Sequence, residues 1–166
     1  MYKPYPQEKF EGLERELWFQ ELAEHIRPKA ESEPYVTDVA RVAKLPKEVG
    51  AIYFLWEFYS EVGGNGIEYY LLEPQGLHTP QAHAALRMVG ASELVERLEA
   101  GIPHALASGS AEFSASPDLT WFHQFKPNPK YPTLQSADED IYELAADGLQ
   151  DKCTDFIERH RNIFVR

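Results

Sequence analysis

Only one cysteine, Cys153, stands among 166 residues. No internal disulfide can form from it, and no cysteine-based zinc site is suggested. Its neighbours at helical spacing are apolar, which reads as a buried thiol. The chain is also short of bases, with 16 against 27 acids and a formal net charge of −11. That balance argues against direct binding of nucleic acid, whose phosphates would repel it, and against an anionic membrane surface. No stretch approaches the ~20 apolar residues of a membrane span. Met1 to Phe10 has aromatics, prolines and mixed charge but no apolar run of the signal-peptide type, so a cytoplasmic protein is expected. Convincing strand alternation, internal repeats and low-complexity tracts are all missing.

What is present is a core and a helical rhythm. Hydrophobic residues make up 43%, with nine Phe, nine Tyr and three Trp. Phe10, Leu13, Leu17, Leu22 and Ile26 predict a first helix over 7–27, ended by Pro28. Val36, Val39, Ala40 and Ala43 predict a short second one. Residues 47–62 are apolar nearly all round and predict a central buried helix, with a sharp break at Gly63-Gly64-Asn65-Gly66. A short helix over 67–72 follows. Thr79-Pro80 opens another that Gly90 closes, and Ser92 begins the next, limited or kinked by Pro103. Ser136 with Glu139 predicts a capping box opening the last helix. The expected fold is all-α, a single compact multi-helix domain with one long aromatic and proline-rich loop. Its parts are an N-terminal helix and link (1–34), a central core (35–106), the loop (107–135) and a C-terminal acidic helix (136–166).

That last helix carries the clearest pointer to function. Asp140, Glu143, Asp147, Asp151, Asp155 and Glu158 recur every three or four residues, so an α-helix stacks them on one side. Ile141, Ala145, Leu149, Cys153, Phe156 and Ile157 fall on the other side, where they would grip a core. The pattern suits an ordinary solvated face, and equally a surface that receives a positive partner. Over ~27 Å of helix, six charges give about one per 5 Å, against about one per 1.7 Å of duplex axis. Imitating a duplex would need a second row or a second subunit. Glu93, Glu96 and Glu99, or Glu14, Glu21 and Glu24, are candidates for that row.

Chemistry of other kinds has little support. His78 and His83 are five apart, which is not the better metal spacing of four, and His25, His104, His123 and His160 are scattered. No metal or cofactor is expected. The Gly63–Gly66 stretch lacks the phosphate-binding pattern and a preceding strand, and Ser108-Gly109-Ser110 lacks the glycines of a nucleophile elbow. Glu57 and Glu61, one helical turn apart, could do acid–base work or simply mark the edge of the central helix. Trp121-Phe122 with Phe125 reads as core filling or as a partner patch.

The central stretch resembles a known family. Gly64-Asn65-Gly66-Ile67, Tyr69-Tyr70-Leu71, Gly76, and a helix from Gln81 to Val89 ending Val89-Gly90-Ala91 fall on the pattern of the DNA-mimic protein family. Glu57 or Glu61 matches its preceding glutamate, and Asp138 to Phe164 its closing helix. The departures are specific: the family's Asn falls on Gly64, its first Gly on Asn65, its Gln on Tyr69 and its second Asn on Glu73. The resemblance spans about 45–106 and, more loosely, 136–164. It implies a helical, non-enzymatic, homodimeric protein whose acidic surface occupies a DNA-binding regulator. The expectation is therefore an acidic protein that offers the six carboxylates of its last helix to a basic partner. The alternatives are an immunity or antitoxin-like protein against a basic toxin, and an enzyme using Glu57 and Glu61.

Overall fold

A helix that is apolar on every side must be covered from every side, and residues 47–62 dictate the architecture in that way. The computed structural model describes residues 2–34, 36–109, 113 and 119–166, apart from the side chain of Asp147. The elements are α1 (Gln7–Glu11), α2 (Trp18–Ala30), β1 (Glu31–Glu33), β2 (Val36–Thr37), α3 (Val39–Val42) and α4 (Lys47–Leu72). There follow α5 (Thr79–Val89), α6 (Ser92–Ser108), α7 (Leu119–Phe122), α8 (Leu134–Asp138), α9 (Ile141–Glu143), α10 (Gln150–Arg159) and α11 (Arg161–Phe164). A π-helical stretch, Leu144–Leu149, joins α9 to α10 without a break. The fold is all-α apart from the small hairpin of β1 and β2. Helices α2, α5, α6 and the C-terminal run all pack on α4, where Ile52, Leu55, Phe58 and Tyr70 are fully buried. Among the described residues no helix is long and apolar enough to cross a membrane.

Several expected boundaries moved. The first predicted helix is two helices, α1 and α2, separated at Gly12–Glu14. Pro28 does not end α2, which continues to Ala30, and Pro103 lies inside α6. A proline removes one amide, but Ile26 and Ala30 around the first, and Ile102 and Ala105 around the second, are buried and hold the helices in line. Residues 36–37, predicted as helix, pair antiparallel with 31–33 instead.

The glycine stretch breaks the chain at one point only. Helix α4 runs straight through Gly63, Gly64 and Asn65, and turns at Gly66, where φ is +85°. The chain then returns to helix at Ile67, whose free amide needs an acceptor. The Asp138 carboxylate at the end of α8 supplies it, Oδ1 lying 2.5 Å from the Ile67 nitrogen. A Cβ on residue 66 would collide with that same carboxylate. Gly66 is therefore required twice over, by its backbone angle and by the acid packed on it. Gly90 ends α5 in the left-handed conformation, as predicted.

Ser110, Ser114, Ser116 and Pro117 of the long loop lie outside the described residues. Elsewhere its aromatics fold back on the body. Phe113 and Phe122 are buried and stacked 4.2 Å apart, Tyr131 is buried, and Trp121 and Phe125 close over His83.

Candidate partner-binding surface

The C-terminal acids do not sit on one α-helix. The predicted capping box at Ser136 and Glu139 lies three residues earlier: the Thr133 hydroxyl accepts the Ser136 amide and the Ser136 hydroxyl accepts the Thr133 amide, both at 3.0 Å. The helix it opens, α8, stops at Asp138. Two contacts impose the stop. Asp138 turns back to Ile67, and the nearly buried Arg97 guanidinium donates to the backbone oxygens of Ala137 and Glu139. Asp140 then takes φ +59°, the left-handed region, alone among the described residues other than glycine. The helical run restarts at Ile141, and its π-helical middle takes more residues per turn than an α-helix. The row is thus bent at Asp140 and rotated between Glu143 and Asp151.

Its side chains nevertheless face outward. Asp140, Glu143, Asp151, Asp155 and Glu158 are exposed, and the side chain of Asp147 is outside the described set. The apolar side is inward as expected, with Ile141, Ala145, Leu149, Cys153, Phe156 and Ile157 all buried. Burial pushes the Cys153 thiol far above its ordinary range, which makes it inert. Tyr142, between Asp140 and Glu143, is the most exposed large hydrophobic residue described, at 63%.

The row is unequal along its length. Asp140, Glu143 and Asp151 form no ion pair among the described residues. Asp155 and Glu158 share a guanidinium. Nη2 of Arg15 lies 2.5 Å from Asp155 Oδ1 and 3.2 Å from Glu158 Oε2, and the two carboxylates hold it still more firmly in its charged form. The expectation of a wholly unneutralised row is corrected at these two positions. Arg15 is 140 positions away in the chain, so nothing in the local pattern could have announced it.

The second row proposed on α6 is closed. Glu93 pairs with Arg97 at 3.5 Å, Glu96 with Lys130 at 3.1 Å, and Glu99 with His83 at 2.7 Å and Arg87 at 3.8 Å. In the other candidate set, Glu24 pairs with Arg27 at 2.9 Å and Glu21 accepts the Tyr5 hydroxyl at 3.3 Å.

Glu57 and Glu61 border a separate cavity of about 100 Å³, with Arg27, Glu31, Tyr53 and Trp56. Glu57 accepts the Thr37 hydroxyl at 2.6 Å and meets His78 Nδ1 at 2.9 Å. It thereby fastens the hairpin and the turn before α5 to α4. Glu61 is different: burial raises its carboxyl above the usual carboxylate range, opposed by a hydrogen bond from Asn65. Both His78 and His83 are thus engaged by carboxylates. Among the described residues no three His, Cys, Asp or Glu side chains cluster as metal ligands.

Sequence reasoning passed over Asp138, Arg97 and Arg15. Asp138 and Arg97 act by tertiary contact with backbone, which leaves no periodic signature. The fused glycine break and its carboxylate lie within the segment that carries the resemblance noted above. No curated protein and no solved structure matches this chain. The sequence model of the DMP19-like proteins matches residues 43–160, from just before the central helix to just past α10, and includes Gly66, Gly90, Asp138 and every acid of the C-terminal row. With well over half its length so matched, the chain belongs to the DMP19-like protein family, the DNA-mimic family its glycine turn resembles.

Proposed function

We propose that this chain is a non-enzymatic binding protein of the cytoplasm whose C-terminal acids occupy the basic surface of a DNA-binding protein. The observation that carries the reading is the set Asp140, Glu143 and Asp151: exposed, without an ion pair among the described residues, and inside the family-matched segment. Carboxylates so placed accept charge-assisted hydrogen bonds from arginine and lysine. The net charge of −11 steers such a partner towards the chain and repels nucleic acid itself. Tyr142 adds an aromatic face over which an arginine can stack. A single bent row is sparser than duplex phosphates, and α6 supplies no second row because its acids are paired. A second copy of the chain supplies it in this reading, so the active form is a homodimer.

The test is capture from native lysate on the immobilised protein at low and high salt, with duplex DNA as competitor. A DNA-binding protein should be retained at low salt and released both by high salt and by DNA. The variant Asp140→Asn/Glu143→Gln/Asp151→Asn should retain none. Retention that survives this triple change, or that DNA does not compete, overturns the reading.

A further inference from the structure

We infer that Asp155 and Glu158 form a seat for a single guanidinium, filled by Arg15 in the free protein and by an arginine of the basic partner in the complex. This rests on the reading of the acidic face given above, and adds to it the kind of group the face takes and a device that holds the face partly closed.

Arg15 is itself the occupant. Two carboxylates one turn apart on α10 converge on one nitrogen of Arg15, at 2.5 and 3.2 Å. Its guanidinium also lies 6.0 Å from the centre of the Trp18 ring. A carboxylate pair with an aromatic beside it is the environment an arginine from another protein would need. Arg15 comes from a remote segment, so the seat is formed by α10 and filled from outside it. Two other cations nearby are engaged elsewhere: Arg159 Nε donates to the Asp155 backbone oxygen, and Arg161 pairs with Glu11 at 3.4 Å.

The segment that carries Arg15 leaves its side chain exposed, so the guanidinium can quit the seat without unfolding the rest. It lies outside the family-matched residues 43–160, as a strap across the C-terminal helices. Its firm attachments flank Arg15. On one side, the Tyr5 amide donates to the Phe164 oxygen at 2.7 Å, the Gln7 amide to the Arg166 oxygen at 2.8 Å, and Phe10 is buried. On the other, Phe19 is buried under α4. Between them Glu11, Gly12, Glu14, Arg15, Glu16 and Leu17 are exposed and Leu13 is half-buried against the core; Arg161 pairs with Glu11, and Gln150 Nε2 donates to the Glu16 oxygen at 2.8 Å. The side chains of the bridge itself are 44%, 63% and 60% exposed. Ion pairs so exposed to water hold weakly, so exchanging one arginine for another costs little. While Arg15 is seated, Asp140, Glu143 and Asp151 are open. Once it is displaced, Asp155 and Glu158 join them.

The experiment uses the full chain and a fluorescein-labelled nona-arginine peptide, with binding read by anisotropy at low salt. Arg15→Gln should tighten binding about fivefold, the effect of removing a competitor held by two exposed ion pairs. Arg15→Gln combined with Asp155→Asn and Glu158→Gln should lose that gain. Lys126→Gln, which removes an exposed cation elsewhere, should change affinity less than twofold and so separates the seat from net charge. If Arg15→Gln binds no better than the parent, or if Lys126→Gln gains as much, the seat is not a competitor site and the inference falls. If the peptide then still loses affinity on Asp140→Asn/Glu143→Gln/Asp151→Asn, the acidic-face reading stands without it. If neither parent nor Arg15→Gln binds the peptide, both fall together.

Discussion

The acids of α6 and those of the C-terminal run are alike in sequence and unlike in the molecule. Glu93, Glu96 and Glu99 are spaced by three, just as Asp140 and Glu143 are, and each set lines an amphipathic helical segment. Yet every α6 acid meets a cation brought by α5, by α6 itself or by the residues before α8, whereas Asp140, Glu143 and Asp151 meet none among the described residues. Spacing determines which side chains share a face. It does not determine what packs beside that face, and the neighbours decide whether the charge is available.

The contrast can be broken most severely at the joint that places the C-terminal run. Gly66→Ala forces a Cβ into the left-handed region and into the Asp138 carboxylate. We expect a loss of about 3 kcal/mol in urea unfolding, with weakened cation binding at the C-terminal row and little change at α6. Next in size is a direct exchange. Asp140→Asn/Glu143→Gln/Asp151→Asn should weaken nona-arginine binding at least about tenfold, while Glu93→Gln/Glu96→Gln/Glu99→Gln should change it less than about twofold. Equal losses in the two variants would erase the distinction between the regions. A smaller effect separates Glu61 from the exposed acids. Its folded-state carboxyl is raised above its unfolded value by burial, so the stability it contributes is present in acid and lost as pH rises through the folded titration. Glu61→Gln should therefore raise the urea midpoint at about pH 7, with the gain vanishing towards about pH 4.

The sequence made some of this legible and hid the rest for physical reasons. The central helix could be read because a segment apolar on all sides has few alternatives to burial at that length. Gly90 could be read because a left-handed helix end selects for glycine. Asp140, Glu143, Asp151, Asp155 and Glu158 and their buried counterparts, including Cys153, fall on opposite sides as the spacing predicts, since amphipathic period survives local irregularity. The bend at Asp140 was hidden, because it follows from Asp138 and Arg97 binding backbone far away in the chain. The choice of Gly66 among four candidate turn residues was hidden for the same reason: only the Asp138 carboxylate distinguishes it. Pro28 does not end α2, and Pro103 does not limit α6, because the cost of one missing amide is local, whereas the burial that outweighs it is not. Glu57 and Glu61 looked equivalent in the chain, and differ because Thr37 and His78 reach only the first.

The grip of Asp138 on Ile67 bears on how such a chain can vary. One end of the long link is clasped to the body by His83, Trp121 and Phe125, and the other by the Asp138 carboxylate. Both moorings stand before the acidic run, so together they fix where that run leaves the body. Residues 66 and 138 must therefore change together or not at all, since a side chain at 66 would displace the carboxylate that holds the run in place.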